Sequence, residues 1–243
     1  MLISVITITF NAEATLPATL RSVEAQTFTD FEYLIIDGRS TDRTVEIARA
    51  CPLAKVISEP DRGLYDAMNK GLRLAQGRYV LFLNAGDTLP AADTLRRYAE
   101  AIASAAPLEP GMVYGQTAIV DADGHYLRER HFRAPRRLDF MSFSRGMTVC
   151  HQAMLVRRDL APEYDLRYRF SADYDWACKV LRRSPLNIYI DGYTANYLSE
   201  GVTTANRRAS LRERFAIMRR HYGLTRTLIS HLKAALRKFT SHS

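Results

Sequence analysis

The sequence predicts an α/β fold, a doubly wound, mostly parallel sheet with helices on both faces, followed by C-terminal helices. Over about the first hundred residues, short apolar runs alternate with amphipathic stretches long enough to be helical crossovers, and strands joined that way pair in parallel. Each of the first four apolar runs ends in polar residues, as strands do when their carboxyl ends share a ligand-binding edge. With 243 residues and 47% hydrophobic content, the chain can close a real core around such a sheet.

The elements follow in order. Leu2–Phe10 reads as the first strand; it is too short to span a bilayer and lacks the charged n-region and cleavage site of a signal peptide. Ala14–Glu24 has helical spacing, with Pro17 near its first turn. Phe31–Ile36 is the second strand. "RSTDRTVEIARA" then opens a helix with Ser40 or Thr41 as N-cap and Asp42 in the positive first turn. Lys55–Ser58 is a short strand, and Leu64–Ala75 a helix with Gly77 at its C′ position. Tyr79–Leu83 is the fourth strand, followed by a helix at about Asp93–Ser104.

The pattern then loosens. Met112–Val120 and Tyr126–Phe132 form a hairpin around "DADG". Short strands at Ala153–Val156 and Asn187–Ile190 flank the helix "ADYDWACKVLRR", and helices at about Arg207–Tyr222 and Thr225–Phe239 follow. No repeat or linker interrupts the chain. The expectation is one domain over 1–204, with a nucleotide-binding half (1–105) and an acceptor-binding half (106–204), plus a basic helical extension over 205–243.

The formal charge of +8 is concentrated in that extension. Residues 205–243 hold ten Lys or Arg against one acid, Glu213, while the remaining 204 carry 24 basic and 25 acidic groups. A near-neutral body with a basic appendage is not the profile of a nucleic-acid binder. Cys51, Cys150 and Cys178 are odd in number and lack metal-ligand or C-x-x-C spacing, which suits reduced thiols in a cytoplasmic setting.

Polar residues mark each early strand end: Thr7, Thr9 and Asn11 on the first, Asp37 after the second, Glu59 and Asp61 after the third, Asn84 and Asp87 after the fourth. Acids brought to one edge suit a ligand with N–H and O–H donors, or a divalent cation carrying phosphates. The patterns G-x-G-x-x-G and G-x-x-x-x-G-K-[ST] are absent, which disfavours dinucleotide dehydrogenases and P-loop NTPases.

"SVITITFNAEATLPATLRSVEAQTFTDFEYLIIDGRSTDRT", followed by "EPDRGLYDAMNKGLRLAQGRYVLFLNAGD", resembles the family 2 glycosyltransferases with the GT-A, Rossmann-like fold. The likeness is greatest to the branch of bacterial surface-polysaccharide clusters, such as colanic-acid-type transferases. It covers roughly residues 1–200, with several motifs in order over 1–90. It implies that Thr9 and Asn11 border the nucleotide base, that Asp37 accepts from the N3–H of uracil, and that Asp61 and Arg62 lie near the nucleotide. "NAGD" occupies the place of the family's metal-binding D-x-D. Asn84 and Gly86 replace its two acids, leaving Asp87 as the carboxylate for Mg²⁺ or Mn²⁺, with helix capping as its plainer role. Asn84 is then free to bond a ribose or sugar hydroxyl.

In "FSADYDWACKVLRR", Asp173 and Asp175 point about 200° apart on a helix and cannot both face one site. The family places its general base here, commonly as Glu followed by Asp. Ala172 stands where that Glu would be, Asp173 keeps the base position, and Asp175 is the reserve. An inverting transfer needs such a group to take the acceptor's proton, and the leaving diphosphate needs a cation or Arg to offset its charge. His151 lies near the family's acceptor or diphosphate region, although a lone His is more often structural. Tyr174 and Trp176 read as packing, and the pairs Arg157–Arg158 and Arg182–Arg183 as solvated surface.

In "TRTLISHLKAALRKF", Leu228, Ile229, Leu232, Leu236 and Phe239 form a helical stripe beside Lys233, Arg237 and Lys238. The stripe fits docking on the domain or contact with an anionic membrane surface. The implied activity is transfer of a hexosyl unit from a UDP-sugar to a glycan or polyprenyl-linked acceptor at the inner face of the membrane, with no nucleic acid involved. Two rivals stand beside it: a catalytically impaired nucleotide-sugar-binding module, and a sugar nucleotidylyltransferase. The latter wants a glycine-rich, Arg-containing loop after the first strand, which "TFNAEATL" does not supply.

Overall fold

The computed structural model describes residues 1–199 and 207–240, with side chains at 1–199 and 208–233. Eight strands form one sheet: β1 (Ile3–Thr9), β2 (Phe31–Asp37), β3 (Ala54–Ser58), β4 (Tyr79–Phe82), β5 (Met112–Val120), β6 (Tyr126–Glu129), β7 (Met154–Arg157) and β8 (Asn187–Leu198). Between them lie α1 (Leu16–Glu24), α2 (Thr44–Ala50), α3 (Leu64–Leu74), α4 (Thr94–Ser104) and α5 (Ala172–Arg183). Helices Arg207–Tyr222 and Leu224–Thr240 follow.

The strand order is β3-β2-β1-β4-β7-β5-β6, with β8 also paired to β5. β1 to β4 are mutually parallel, and β8 runs parallel to β5. β7 is antiparallel to both β4 and β5, and β6 to β5. Two antiparallel steps from β4 to β5 restore the original direction, so six strands send their carboxyl ends to one edge. The chain enters at β1, winds out through β2 and β3, then crosses back to β4 on the other side of β1. That reversal opens the crevice in which such sheets bind ligands.

Alternation along the strands builds the two core faces. Ile6, Ile8, Leu34, Ile36, Val80 and Phe82 join Met68, Trp176, Val180 and Ile217, burying α3, α5 and the Arg207–Tyr222 helix on one face. Ile3, Val5, Tyr33, Ile35, Tyr79 and Leu81 join Leu16, Ala48 and Leu95, burying α1, α2 and α4 on the other.

Several local expectations change. α2 begins at Thr44 rather than near Ser40, because Asp42 Oδ1 accepts from the Thr44 amide at 3.0 Å and pulls the preceding residues into a turn. Gly77 is not a left-handed cap. A Cβ there would lie 2.5 Å from Ser4 N, so glycine is required by close backbone approach. β8 runs on to Leu198 past Asp191-Gly192, where Gly192 has φ +82° and the β5 register slips. Arg157 and Arg158 are not solvated ornaments: Arg157 Nη1 donates to Glu109 O at 3.1 Å and Arg158 Nε to Gly77 O at 2.8 Å. The Arg182 guanidinium stacks over the Phe140 ring at 4.5 Å. All three cysteines are buried and free.

The basic extension is not a separate appendage. Ile217 and Met218 are buried against the domain, Glu213 accepts from the Arg169 and Phe170 amides at 2.8 Å each, and Tyr222 stacks on Phe140. Beyond Gly223 the arrangement differs. Leu228, Ile229 and Leu232 are 51%, 49% and 62% exposed, so this part of the stripe is not docked. The side chains of Leu236, Arg237, Lys238 and Phe239 lie outside the described residues.

Candidate active site

"NAGD" leaves β4 in a turn that only this sequence fits. Gly86 has φ +100°, and a Cβ there would lie 2.8 Å from Leu198 Cδ2. Its amide donates to Thr19 Oγ1 at 2.9 Å. An acid at position 86 would therefore be strained as well as crowded, which explains the departure from D-x-D in physical terms. Asp87 next turns inward, to 4% exposure. Its Oδ2 accepts from Gln152 Nε2 at 2.8 Å and its Oδ1 from the Leu198 amide at 3.1 Å. Thr88 continues as a two-bond bridge to Asn196, so the segment is stitched to β8. Asp87 caps no helix. Burial pushes its carboxyl up to about 7, against the pull of those two hydrogen bonds.

This turn forms part of the wall of a cavity of about 470 Å³ at the carboxyl edge of β4. Opposite it stands the start of α5. Asp173 Oδ1 accepts from Tyr65 Oη at 3.1 Å and from the Tyr174 amide at 2.9 Å. Its Oδ2 makes no hydrogen bond among the described residues. Burial, reinforced by Asp173, holds the Tyr65 hydroxyl well above the ordinary tyrosine value, so Tyr65 remains a donor. The cavity thus contains one carboxylate oxygen that is positioned and unengaged.

Asp175, two residues on, faces away from this cavity. It is fully buried, with Oδ1 2.7 Å from His221 Nε2 and Oδ2 in an ion pair with Lys179 Nζ at 2.5 Å. Burial works to raise its carboxyl, but His221 and Lys179 bring it below the ordinary value. It binds α5 to the Arg207–Tyr222 helix, and it does not act as a reserve base in this geometry.

His151 does line the cavity. It is buried, stacked on Phe82 at 5.2 Å, and shares a 2.6 Å hydrogen bond between Nε2 and Tyr164 Oη. Burial lowers it to about 4, so it is neutral at pH 7 and offers no charge to a diphosphate. Tyr174 and Trp176 are buried as expected, donating to Phe143 O and Pro162 O.

The other candidates sit at the neighbouring strand ends, outside the lining of this cavity. Asp37, 1% exposed, accepts from Thr9 Oγ1 (3.0 Å), Ser40 Oγ (2.5 Å), the Ser40 amide (3.0 Å) and Ser58 Oγ (2.7 Å). Burial opposes these bonds, which nonetheless hold its carboxyl below the usual range. Four donors from the chain itself leave little room for a base N–H. Asn11, at φ +47°, accepts from the Thr41 amide at 2.9 Å and locks the β1 and β2 loops together. Arg62 is turned outward onto Asp66. Asp61 is placed differently: its Oδ1 takes the Gly63 amide, while its Oδ2 lies where a Cβ on Gly38 would be 2.5 Å away. Phe10, 67% exposed, borders the same spot.

Sequence reasoning missed Tyr65, Gln152, Arg130, Ser210 and Arg214, all in the cavity wall. Only Tyr65 had a signal, one turn after the "DRG" that ends the third loop. The others reach the site from elements distant in sequence.

The family model "Glycosyl transferase family 2" matches residues 4–165. The chain belongs to glycosyl transferase family 2. A PGL/p-HBAD biosynthesis glycosyltransferase of Mycobacterium bovis is 41% identical over 183 residues, covering 71% of this chain and 67% of the relative. Among solved structures, S. aureus TarS aligns with TM-score 0.73 and 19% identity over 96% of this chain and 72% of its own. Its complex with UDP-GlcNAc aligns at 0.71 and 21%, over 90% and 65%. The Pyrobaculum calidifontis mannosyltransferase PcManGT, in complex with GDP-Man and Mn²⁺, aligns at 0.64 and 20%, over 96% and 75%. The transferase therefore has the GT-A fold.

A divalent cation beside a nucleotide diphosphate takes one or two carboxylates in addition to phosphate oxygens and water. At the place of D-x-D the transferase offers Asn84, which is neutral, Gly86, which has no side chain, and Asp87, whose two oxygens are already bonded. This donor set gives such a cation a single carboxylate, already held by Gln152 and the Leu198 amide, in place of the two acids of D-x-D. Among the described residues, one group of three could gather round an ion, Asp121, Asp123 and His125. It sits in the β5–β6 turn, where Asp121 Oδ1 accepts from the Asp123 and His125 amides at 3.0 and 2.8 Å and shapes the turn itself.

Proposed function

We propose that the transferase moves a sugar from a UDP-sugar to a hydroxyl of a glycan or lipid-linked acceptor, with inversion and with Asp173 as general base. The observation that carries this reading is the unengaged Oδ2 of Asp173, fixed through Oδ1 and facing a cavity at the carboxyl edge of the sheet. The acceptor hydroxyl must lose its proton as it attacks the anomeric carbon, and a base positioned for that contributes ~10²–10⁴-fold. In this reading the nucleobase rests at the ends of β1 to β3 against the Phe10 ring. Asp61 Oδ2 takes its N–H, while Asp37, Thr9 and Asn11 hold the loops that frame it. Asn84 Oδ1, buried without a hydrogen-bond partner, accepts from a ribose or sugar hydroxyl. Residues 106–199 form most of the acceptor side in this reading, and 200–204 of the expected acceptor half lie outside the described residues.

Support for the donor comes from the UDP-GlcNAc complex of TarS, and for a glycan-type product from the relative named for PGL/p-HBAD biosynthesis. No helix among the described residues is long and apolar enough to cross a membrane. The exposed Leu228, Ile229 and Leu232 beside a basic helix support peripheral contact with an anionic inner membrane face, where lipid-linked acceptors of surface polysaccharides are presented. The test is calorimetric titration with UDP-, GDP- and dTDP-sugars, with and without Mn²⁺, followed by transfer assays. Binding of one donor class with turnover supports the reading; binding without turnover under any acceptor favours a binding module; no nucleotide-sugar binding refutes both.

A further inference from the structure

Once the diphosphate is read as the leaving group, the charge it develops needs a positive partner, and a single engaged carboxylate, Asp87, is a weak holder for a cation that would supply it. Two guanidinium groups line the same cavity. Arg130 arrives from just beyond β6 and Arg214 from the Arg207–Tyr222 helix. Both are half-buried. Arg130 Nη1 donates to Met147 O at 2.9 Å, which fixes the head while leaving its other N–H groups available. Among the described residues neither arginine has a carboxylate partner, whereas Arg157, Arg167 and Arg220 are each paired. Among the described residues, Asp87 and Asp173 are the carboxylates of the wall, and Asp87 is tied to Gln152 and Leu198.

A half-buried guanidinium without a carboxylate partner keeps its charge and its free N–H groups available to an anion that enters the cavity. The planar fork of Arg matches phosphate oxygens and can bond two at once. We propose that Arg130 and Arg214 form a diphosphate clamp, offsetting the charge on the departing nucleoside diphosphate in place of a D-x-D cation. The assignment rests on the nucleotide-sugar reading above. It also accounts for a site that works with glycine at position 86, because the positive charge comes from arginines of the same cavity wall.

The experiment compares UDP with uridine by calorimetry in excess EDTA, for the wild type, Arg130→Gln and Arg214→Gln. The clamp expects wild-type UDP affinity to change less than about threefold when Mn²⁺ replaces EDTA. Each variant should lose roughly ten- to a hundredfold in UDP affinity, as removal of a charge-assisted bond does, with uridine affinity within about twofold. Arg130→Lys and Arg214→Lys should recover part of the loss and guard against variants that do not fold. UDP binding that vanishes in EDTA and returns with Mn²⁺ overturns the clamp, as do Gln variants that bind UDP like the wild type. Should the wild type bind neither UDP nor uridine, nor GDP nor guanosine, with or without metal, the nucleotide-sugar reading itself falls. If the guanine pair binds instead, the same comparison applies to GDP and guanosine.

Discussion

Asp173 and Asp175 are chemically identical, two residues apart on one helix, and the structure gives them opposite consequences when each is changed to Asn. In Asp175→Asn the side chain keeps its shape but loses its charge between His221 Nε2 (2.7 Å) and Lys179 Nζ (2.5 Å). Breaking one side of a buried pair costs about 3–5 kcal/mol when the orphaned charge stays dry. Lys179 is 30% exposed and can turn to water, so the loss should be about 2–3 kcal/mol. Because the folded state holds Asp175 below its ordinary value near 3.8, its contribution is fully present above that pH. It disappears as pH falls through the folded value. The stability gap between wild type and Asp175→Asn, measured by urea unfolding, should be present at pH 5 and shrink as pH falls below about 4. Asp173→Asn keeps an amide oxygen for the Tyr65 hydroxyl and the Tyr174 amide, so it should unfold within about 1 kcal/mol of wild type, while turnover falls ~10²–10⁴-fold. Equal destabilisation by the two variants, or an active Asp173→Asn, would refute the division of roles.

Three further outcomes follow from the same geometry. Gly86→Ala should cost about 1–3 kcal/mol in urea unfolding, because φ +100° is strained for any side chain and Leu198 must also move. Tyr65→Phe removes the hydroxyl that orients Asp173; kcat should drop by about tenfold, with little change in the melting temperature or in donor affinity, read by steady-state kinetics and calorimetry. Leu228→Glu with Leu232→Glu places charge on an exposed face, so the fold should persist while cosedimentation with anionic phospholipid vesicles falls at least about tenfold.

The first hundred residues were largely legible, because they are built from local signals. Each of β1 to β4 is a short apolar run with a polar stop, and "ADYDWACKVLRR" matches α5 residue for residue. The 200° argument correctly separated Asp173 from Asp175. What escaped was whatever depends on a distant partner. β8 looked a third of its length, Asn187–Ile190, and only pairing with β5 carries the strand through its irregularity to Leu198. Asp37 reads as an open acceptor until Thr9, Ser40 and Ser58 are seen to fill it. Gly77 resembles a helix cap until Ser4 is found behind it. The extension looked like a basic tail because charge counts are blind to Ile217, Met218 and Glu213, which dock it and bring Arg214 into the cavity wall. "NAGD" raised the right question in sequence, but its answer lies in Leu198 and Gln152, each more than sixty positions away.

The central claim is that sugar transfer takes place between the β4 turn and the start of α5, with Asp173 facing the anomeric carbon. A crystal structure of Asp173→Asn with an intact UDP-sugar tests it most directly. The account expects the anomeric carbon to face the side chain at position 173 across a gap sized for one hydroxyl, with the diphosphate against Arg130 and Arg214. A donor bound with its sugar turned away from α5, or outside this cavity, contradicts it.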